Sequence, residues 1–475
     1  MRELLSVAID EAVKQGASYA DVRRVERYMQ PLSTRNGQVL SLSSTEDGGF
    51  GVRVLANGAW GFASSSSLDE EELRNTARRA VSIARASARV QRDPVELSPL
   101  EGVEDTYKTP MRKDPFEVDI EDRLALLLEL DEVLREPEEV RMATTSMNAL
   151  HEKKIFMSTE GSYIEQDMME TGISFMATAA GNGDVQRRSF SDYVSGGYEH
   201  IEGLDLFERA ERMSEEAVDL LTADVCPQME SDLILGGSHL ALQIHESCGH
   251  PIELDRVYGT EASFAGTSFL TTDKQGEFQY GSSEVNIVAD ATAPLGLGTF
   301  GYDDEGVEAQ RTDIVREGLF VDYLTSRETA TTLGQNSNGT MLAEGWSNLP
   351  MVRMTNVNLE PGDWTLDEII DDTEYGIYTD SSKSWSLDDK RLNFHFGTEI
   401  AWEIVDGDVT RMLKNPAYTD MTPHFWNACD AVAGEDEWHI WGTPGCAKGE
   451  PVQIAHVGHG AAPARFRNIK VGVGK

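Results

Sequence analysis

His245-Glu246-Ser247-Cys248-Gly249-His250 reads H-E-x-x-x-H, two imidazoles with a carboxylate beside the first. Neutral imidazoles hold metals and a carboxylate can act as a base, so this stretch concentrates chemistry as no other does. The spacing governs how it must fold. In the zinc-binding pattern H-E-x-x-H the histidines are four apart, about 400° round an α-helix, and their rings nearly stack. Here they are five apart, about 500°, which leaves them roughly 140° apart on a regular helix. They share one metal only if the helix distorts. Gly249 tolerates unusual backbone angles, and Pro251 disfavours helical geometry in His250. A helix that distorts or unwinds at Gly249 is therefore expected to swing His250 back toward His245.

A catalytic zinc takes three protein ligands and keeps one position open for water. The residue types leave Glu253, Asp255, Cys429, His439, Cys446, His456 and His459 as candidates for the third. Cys446 stands in Gly442-Thr443-Pro444-Gly445-Cys446-Ala447-Lys448-Gly449-Glu450, which reads as a tight loop with Lys448 placed to favour a thiolate. Cys248, between the histidines, would crowd them as a ligand and reads as a small buried hydrophobe.

Upstream of the motif the pattern mixes helices with antiparallel strands. Arg2 to Gln15 is a helix ended by Gly16. Val22 to Gln30 and Val39 to Leu42 are extended. Gly48 to Phe62 is a β-hairpin turning at Asn57-Gly58. Ser67 to Ala86 is a helix, with Ser67 and Glu70 as its capping box. Residues 92 to 117 read as a long acidic connection. Ile120 to Arg135 and Leu204 to Thr222 are helices flanking a meander over Val140 to Asp192.

Downstream, after a short buried strand at Leu233 to Leu235, Leu240 to His250 carries the motif on a helix. Strands follow at Glu284 to Ala289, Ile314 to Leu324, Met351 to Leu359, Gly376 to Thr379, Asn393 to Val405 and Ile469 to Val473. Thr365 to Asp371 reads as a short helix. The expected class is α+β. An N-terminal α/β domain (residues 1–225) holds an antiparallel sheet with packed helices. A C-terminal, mostly antiparallel, barrel-like β domain (residues 226–475) carries the motif helix.

The 475 residues suffice for two cores, and no apolar run is long enough for a membrane span. No leader peptide is expected at the N-terminus. Four irregularly spaced cysteines suit a reducing cytoplasm. A net charge of −41 argues against nucleic-acid binding. Lysine is scarce beside this excess of acid, which suggests a salt-rich medium that screens self-repulsion.

Several stretches together resemble the TldD/PmbA metallopeptidases, once described as modulators of DNA gyrase, on the TldD side that keeps H-E-x-x-x-H. They are Gly49 to Val54, Gly58 to Phe62, the motif, Asp303-Asp304-Glu305-Gly306, Pro350 to Asn356, and Cys446. The resemblance covers nearly the whole chain. It implies a zinc ion held by His245, His250 and Cys446, with Glu246 as general base. It implies unfolded or small peptides as substrates, bound as an added strand in a closed channel. It further implies a dimer, either of this chain with itself or with a PmbA-like paralogue. The loop departs from the family's C-G-K-x-G-Q pattern at Ala447 and Glu450. Asp303-Asp304-Glu305 reads as structural or substrate-facing, against a plain solvated turn, and His456 and His459 read as surface or core histidines. The rival class is a non-catalytic module that regulates a toxin–antitoxin or gyrase-related partner.

Overall fold

A computed structural model describes residues 1–472, so Val473, the end of the last expected strand, lies outside the described residues. The fold class is α+β, as expected.

The N-terminal half is built on one spine, the 19-residue strand Val140–Ser158. Its side chains alternate between buried and part-exposed, as a sheet between a helical layer and a second surface requires. Along one edge it pairs antiparallel with Tyr163–Gly181. Along the other it pairs with Tyr19–Met29 and then Leu32–Arg35. The full sheet has nine strands. Helices Arg2–Lys14 and Glu70–Ser87 cover Val22, Phe50, Val52 and Val54, and Ile120–Leu134 and Leu206–Asp219 cover Met147, Ile173 and Phe175. The hairpin turn falls at Asn57-Gly58, both at positive φ, which asparagine and glycine tolerate best.

The sequence misplaces two features here. The second helix starts at Glu70, capped by Asp69, whose carboxylate accepts the Glu72 N–H; Ser67 instead bonds Asp69. The connection after residue 92 contains the strand Glu104–Lys108, parallel to Tyr163–Asp167. Its charged, exposed residues follow from an edge position, where no apolar alternation marks a strand.

In the C-terminal half five strands close a ring: Met229–Leu235, Tyr375–Leu387, Asn393–Val405, Ala417–Met421 and Ala464–Val471. Only the Met229–Leu235 contact with Tyr375–Leu387 is parallel. Leu240, Ile244 and Cys248 repeat every four residues along the motif segment and pack into the barrel's core with Phe396, Tyr418 and Phe425. Strand Tyr375–Leu387 runs well beyond the expected Gly376 to Thr379. The expected run Met351 to Leu359 is split into Met351–Val352 and Val357–Leu359, which belong to two different sheets; residues 353–356 link them, with Met354 packed against Gly249 of the motif. Most of Gly442 to Glu450, expected to form a tight loop, is instead strand: it belongs to a hairpin of His439–Lys448 and Gln453–Ala461. A register shift between Thr443 and Cys446 takes up Pro444 and Gly445, the residues that disguised it.

Candidate metal centre

The motif helix runs regularly from Gly237 to Ile244 and then widens into a π-turn over His245–Gly249. The His250 N–H reaches back to the His245 carbonyl at 3.2 Å, five residues away. An i→i+5 repeat returns residues five apart to the same face, so the spacing that defeats an α-helix suits this one. The two rings lie 4.9 Å apart between centroids. The segment thus distorts at Gly249, as expected, and does so by widening rather than by unwinding. Gly249 is needed there for space: a Cβ on it would sit 2.0 Å from the Met354 sulfur.

Three donors converge. His245, His250 and Cys446 place ligand atoms within 4.8 Å of one another, all buried. Cys446 Sγ is 4.0 Å from His250 Nε2. A tetrahedral zinc holds an imidazole nitrogen and a thiolate about 3.5 Å apart, so small side-chain shifts would close the set. Burial keeps both imidazoles neutral far below their usual range, as ligands must be. Two imidazole nitrogens and one sulfur form a donor set that suits zinc. The residues present fit the metal.

The outer ring nitrogens are held. His250 Nδ1 donates to Glu253 Oε2 at 3.0 Å. His245 Nδ1 lies 2.8 Å from His459 Nε2, and His459 Nδ1 donates to the Val357 carbonyl at 2.9 Å. Lys448 does not serve the thiol. Its ammonium is buried among Asp255, Glu253 and Glu261, with Asp255 at 2.7 Å. Burial pushes the Cys446 thiol up to about 11, and Arg353 opposes this. Ala447 and Glu450, where the loop departs from the family pattern, both point to solvent.

Glu246 follows His245 and is buried. Burial raises its carboxyl above the ordinary value, while Arg391, Arg256 and a hydrogen bond from Trp385 favour the charged form. Arg391, at the tip of the hairpin joining Tyr375–Leu387 to Asn393–Val405, pairs with Glu246 Oε2. Trp385 also lines a cavity of about 710 Å³ between the motif helix and the N-terminal sheet.

The other candidates serve elsewhere. Asp255 bonds Lys448 and His456 pairs with Glu170. His439 faces Asp192 at 3.2 Å, and Cys429 is buried in strand Cys429–Val432. Cys248 is fully buried in the apolar core. The acidic triplet is no solvated turn. Asp303 accepts the Glu305 and Val307 N–H groups, Asp304 pairs with Lys154 at 2.9 Å, and Glu305 pairs with Arg53 at 3.0 Å. Sequence reasoning missed Arg391 and the role of His459, since each depends on a contact between distant segments; Glu253, only three residues after His250, reads in sequence as a possible ligand and serves instead as the partner of the His250 ring.

Family models match almost end to end: PmbA/TldA metallopeptidase domain 1 over residues 20–84, the central domain over 113–221, and the C-terminal domain over 228–473. The chain belongs to the PmbA/TldD metallopeptidase family. A metalloprotease of Methanocaldococcus jannaschii is 31% identical over 438 residues, 92% of this chain and 94% of its own. A Saccharolobus solfataricus protein named a zinc metalloprotease TldD homolog is 23% identical, with 98% of each chain covered. The crystal structure of TldE from Thermococcus kodakarensis shares the fold, with a TM-score of 0.78, 17% identity, and 98% of this chain and 99% of that chain covered. Among the described residues no helix is long and apolar enough to cross a membrane.

Proposed function

We propose that the chain is a zinc-dependent peptidase that hydrolyses unfolded or small peptides at the His245, His250 and Cys446 centre. The observation that carries this reading is the convergence of those three buried donors beside a buried glutamate. The name of the Saccharolobus solfataricus relative supports the choice of metal.

Zinc bound there would polarise a peptide carbonyl and lower the pKa of a water molecule toward 7. Glu246 takes the attacking water's proton on its carboxylate and hands it to the departing amine. Arg391 pairs with that carboxylate and orients it between the two transfers, and with Trp385 it favours the charged form against the effect of burial. Glu253 orients His250 and, with Asp255, neutralises the buried Lys448. The cavity lined by Trp385 and by Ser146 and Ser174 of the N-terminal sheet lies beside the motif helix, and a substrate entering from it would have to be an unfolded or small peptide.

The test compares wild type with Glu246→Gln on a reduced, alkylated protein and on its native form. Wild type should cut only the unfolded form, and the variant should lose about 10²–10⁴-fold in rate while keeping its metal. Equal cleavage of the native form would contradict the restriction to unfolded or small peptides. Full activity in Glu246→Gln would contradict the role of the base. A zinc-loaded chain that cuts no peptide, and whose biological effect survives Glu246→Gln, would be a regulatory binding module instead.

A further inference from the structure

We infer that His459 is a positioning residue for the metal: it fixes His245 in the single tautomer that presents Nε2 to the ion. This rests on the metal centre proposed above.

The argument starts at a group that cannot donate. The Val357 carbonyl only accepts, so the hydrogen in its 2.9 Å contact must sit on His459 Nδ1. His459 is fully buried, and its two partners are an imidazole and a backbone carbonyl with no carboxylate to stabilise a charge, so it is neutral. A neutral imidazole carries one ring hydrogen, so His459 Nε2 has only a lone pair. The 2.8 Å contact with His245 then requires the hydrogen on His245 Nδ1. His245 Nε2 is left with its lone pair, and it has no hydrogen-bond partner among the described residues. Each step leaves one choice, and the chain ends at the atom a metal needs.

The same chain shows why His459, although 4.9 Å from His245 between ring centroids, is not itself a ligand. Both its nitrogens are engaged, one with Val357 and one with His245. The backbone holds this arrangement. His459 lies on strand Gln453–Ala461, hairpin partner of the strand that carries Cys446. Its neighbour Gly458 bridges to Asn356, next to Val357. One hairpin thus supplies the third ligand directly and sets the first through its ring. His250 has the commoner arrangement, a carboxylate behind the imidazole.

The experiment uses the full chain with His459→Leu and His459→Gln. Zinc affinity is read by competition with a chromogenic chelator, and geometry by the visible spectrum of the cobalt-loaded protein. Leucine offers His245 no acceptor. Glutamine can give an N–H to Val357 and an oxygen to His245. The leucine variant should bind zinc about 10–100-fold more weakly, with an altered cobalt spectrum. The glutamine variant should recover much of both, and metal-free melting temperatures should not follow this order. Wild-type affinity in a folded leucine variant would overturn the inference, as would a glutamine variant no better than leucine. If leucine does not fold, ¹⁵N-histidine spectra of zinc-loaded wild type decide: a proton on His459 Nε2 overturns the inference, and a bare His459 Nε2 with a protonated His245 Nδ1 supports it. A wild type that binds no zinc would sink the metal centre itself, a failure separate from this one.

Discussion

At the scale of single residues, Gly249 shows what the sequence displays and what it hides. A glycine between two histidines five apart signals that the helix cannot be regular. It does not say in which direction the backbone departs, because an i→i+5 turn has no composition of its own. The signal allows distortion or unwinding, and the chain distorts by widening. The reason for glycine is contact: Met354 fills the space a side chain would need. Gly249→Ala should therefore weaken zinc binding by more than tenfold and cost about 1–3 kcal/mol of stability. Gly249→Ala with Met354→Ala should recover part of the zinc affinity if crowding is the cause, measurable as a double-mutant cycle. His459 was equally opaque. Its role rests on a contact 214 positions away in sequence, and no local pattern announces that.

At the scale of elements, the hairpin of Tyr375–Leu387 and Asn393–Val405 brings Trp385 and Arg391 to Glu246. Asn393 to Val405 was legible to the residue, since it alternates and ends at the Asp406-Gly407 turn. Its partner reads as only four residues because Asp380 to Ser386 is mostly polar; Asp380, Ser381, Ser382 and Trp385 line the cavity. The hairpin at residues 439–461 was hidden by Gly442, Pro444 and Gly445. Cys446 was therefore reached through the family resemblance rather than through the strand that carries it. The element view yields a pH prediction. Burial raises the Glu246 carboxyl and Arg391 opposes that rise. Removing Arg391 leaves the rise unopposed, so the base needs a higher pH to ionise. The acid limb of the kcat/KM profile should move to higher pH in Arg391→Met, with zinc content unchanged. An unmoved limb would separate Arg391 from the base.

Across the whole molecule, charge works in two ways. The chain carries a net charge of −41, and the self-repulsion of its exposed charges is open to screening. Between the halves lies a buried network in which Arg53 joins Asp21 and Glu305 while Asp304 meets Arg23 and Lys154. The motifs around residues 49–62 and 303–306 were visible in the sequence as separate stretches. Their meeting across the two halves was not, because opposite charges far apart in a chain give no hint of pairing. Salt should act on the first kind of charge and spare the second. The wild-type melting temperature should rise from dilute buffer to molar KCl. Arg53→Met strands two buried carboxylates and should cost about 3–5 kcal/mol in either medium. A wild type indifferent to KCl would remove the case for a salt-rich medium.

The central claim is that His245, His250 and Cys446 hold one zinc ion, and metal content tests it most directly. Plasma mass spectrometry on purified wild type beside Cys446→Ala should find about one zinc per chain in the first and little in the second. Zinc retained in Cys446→Ala, or none in folded wild type after reconstitution, would contradict it.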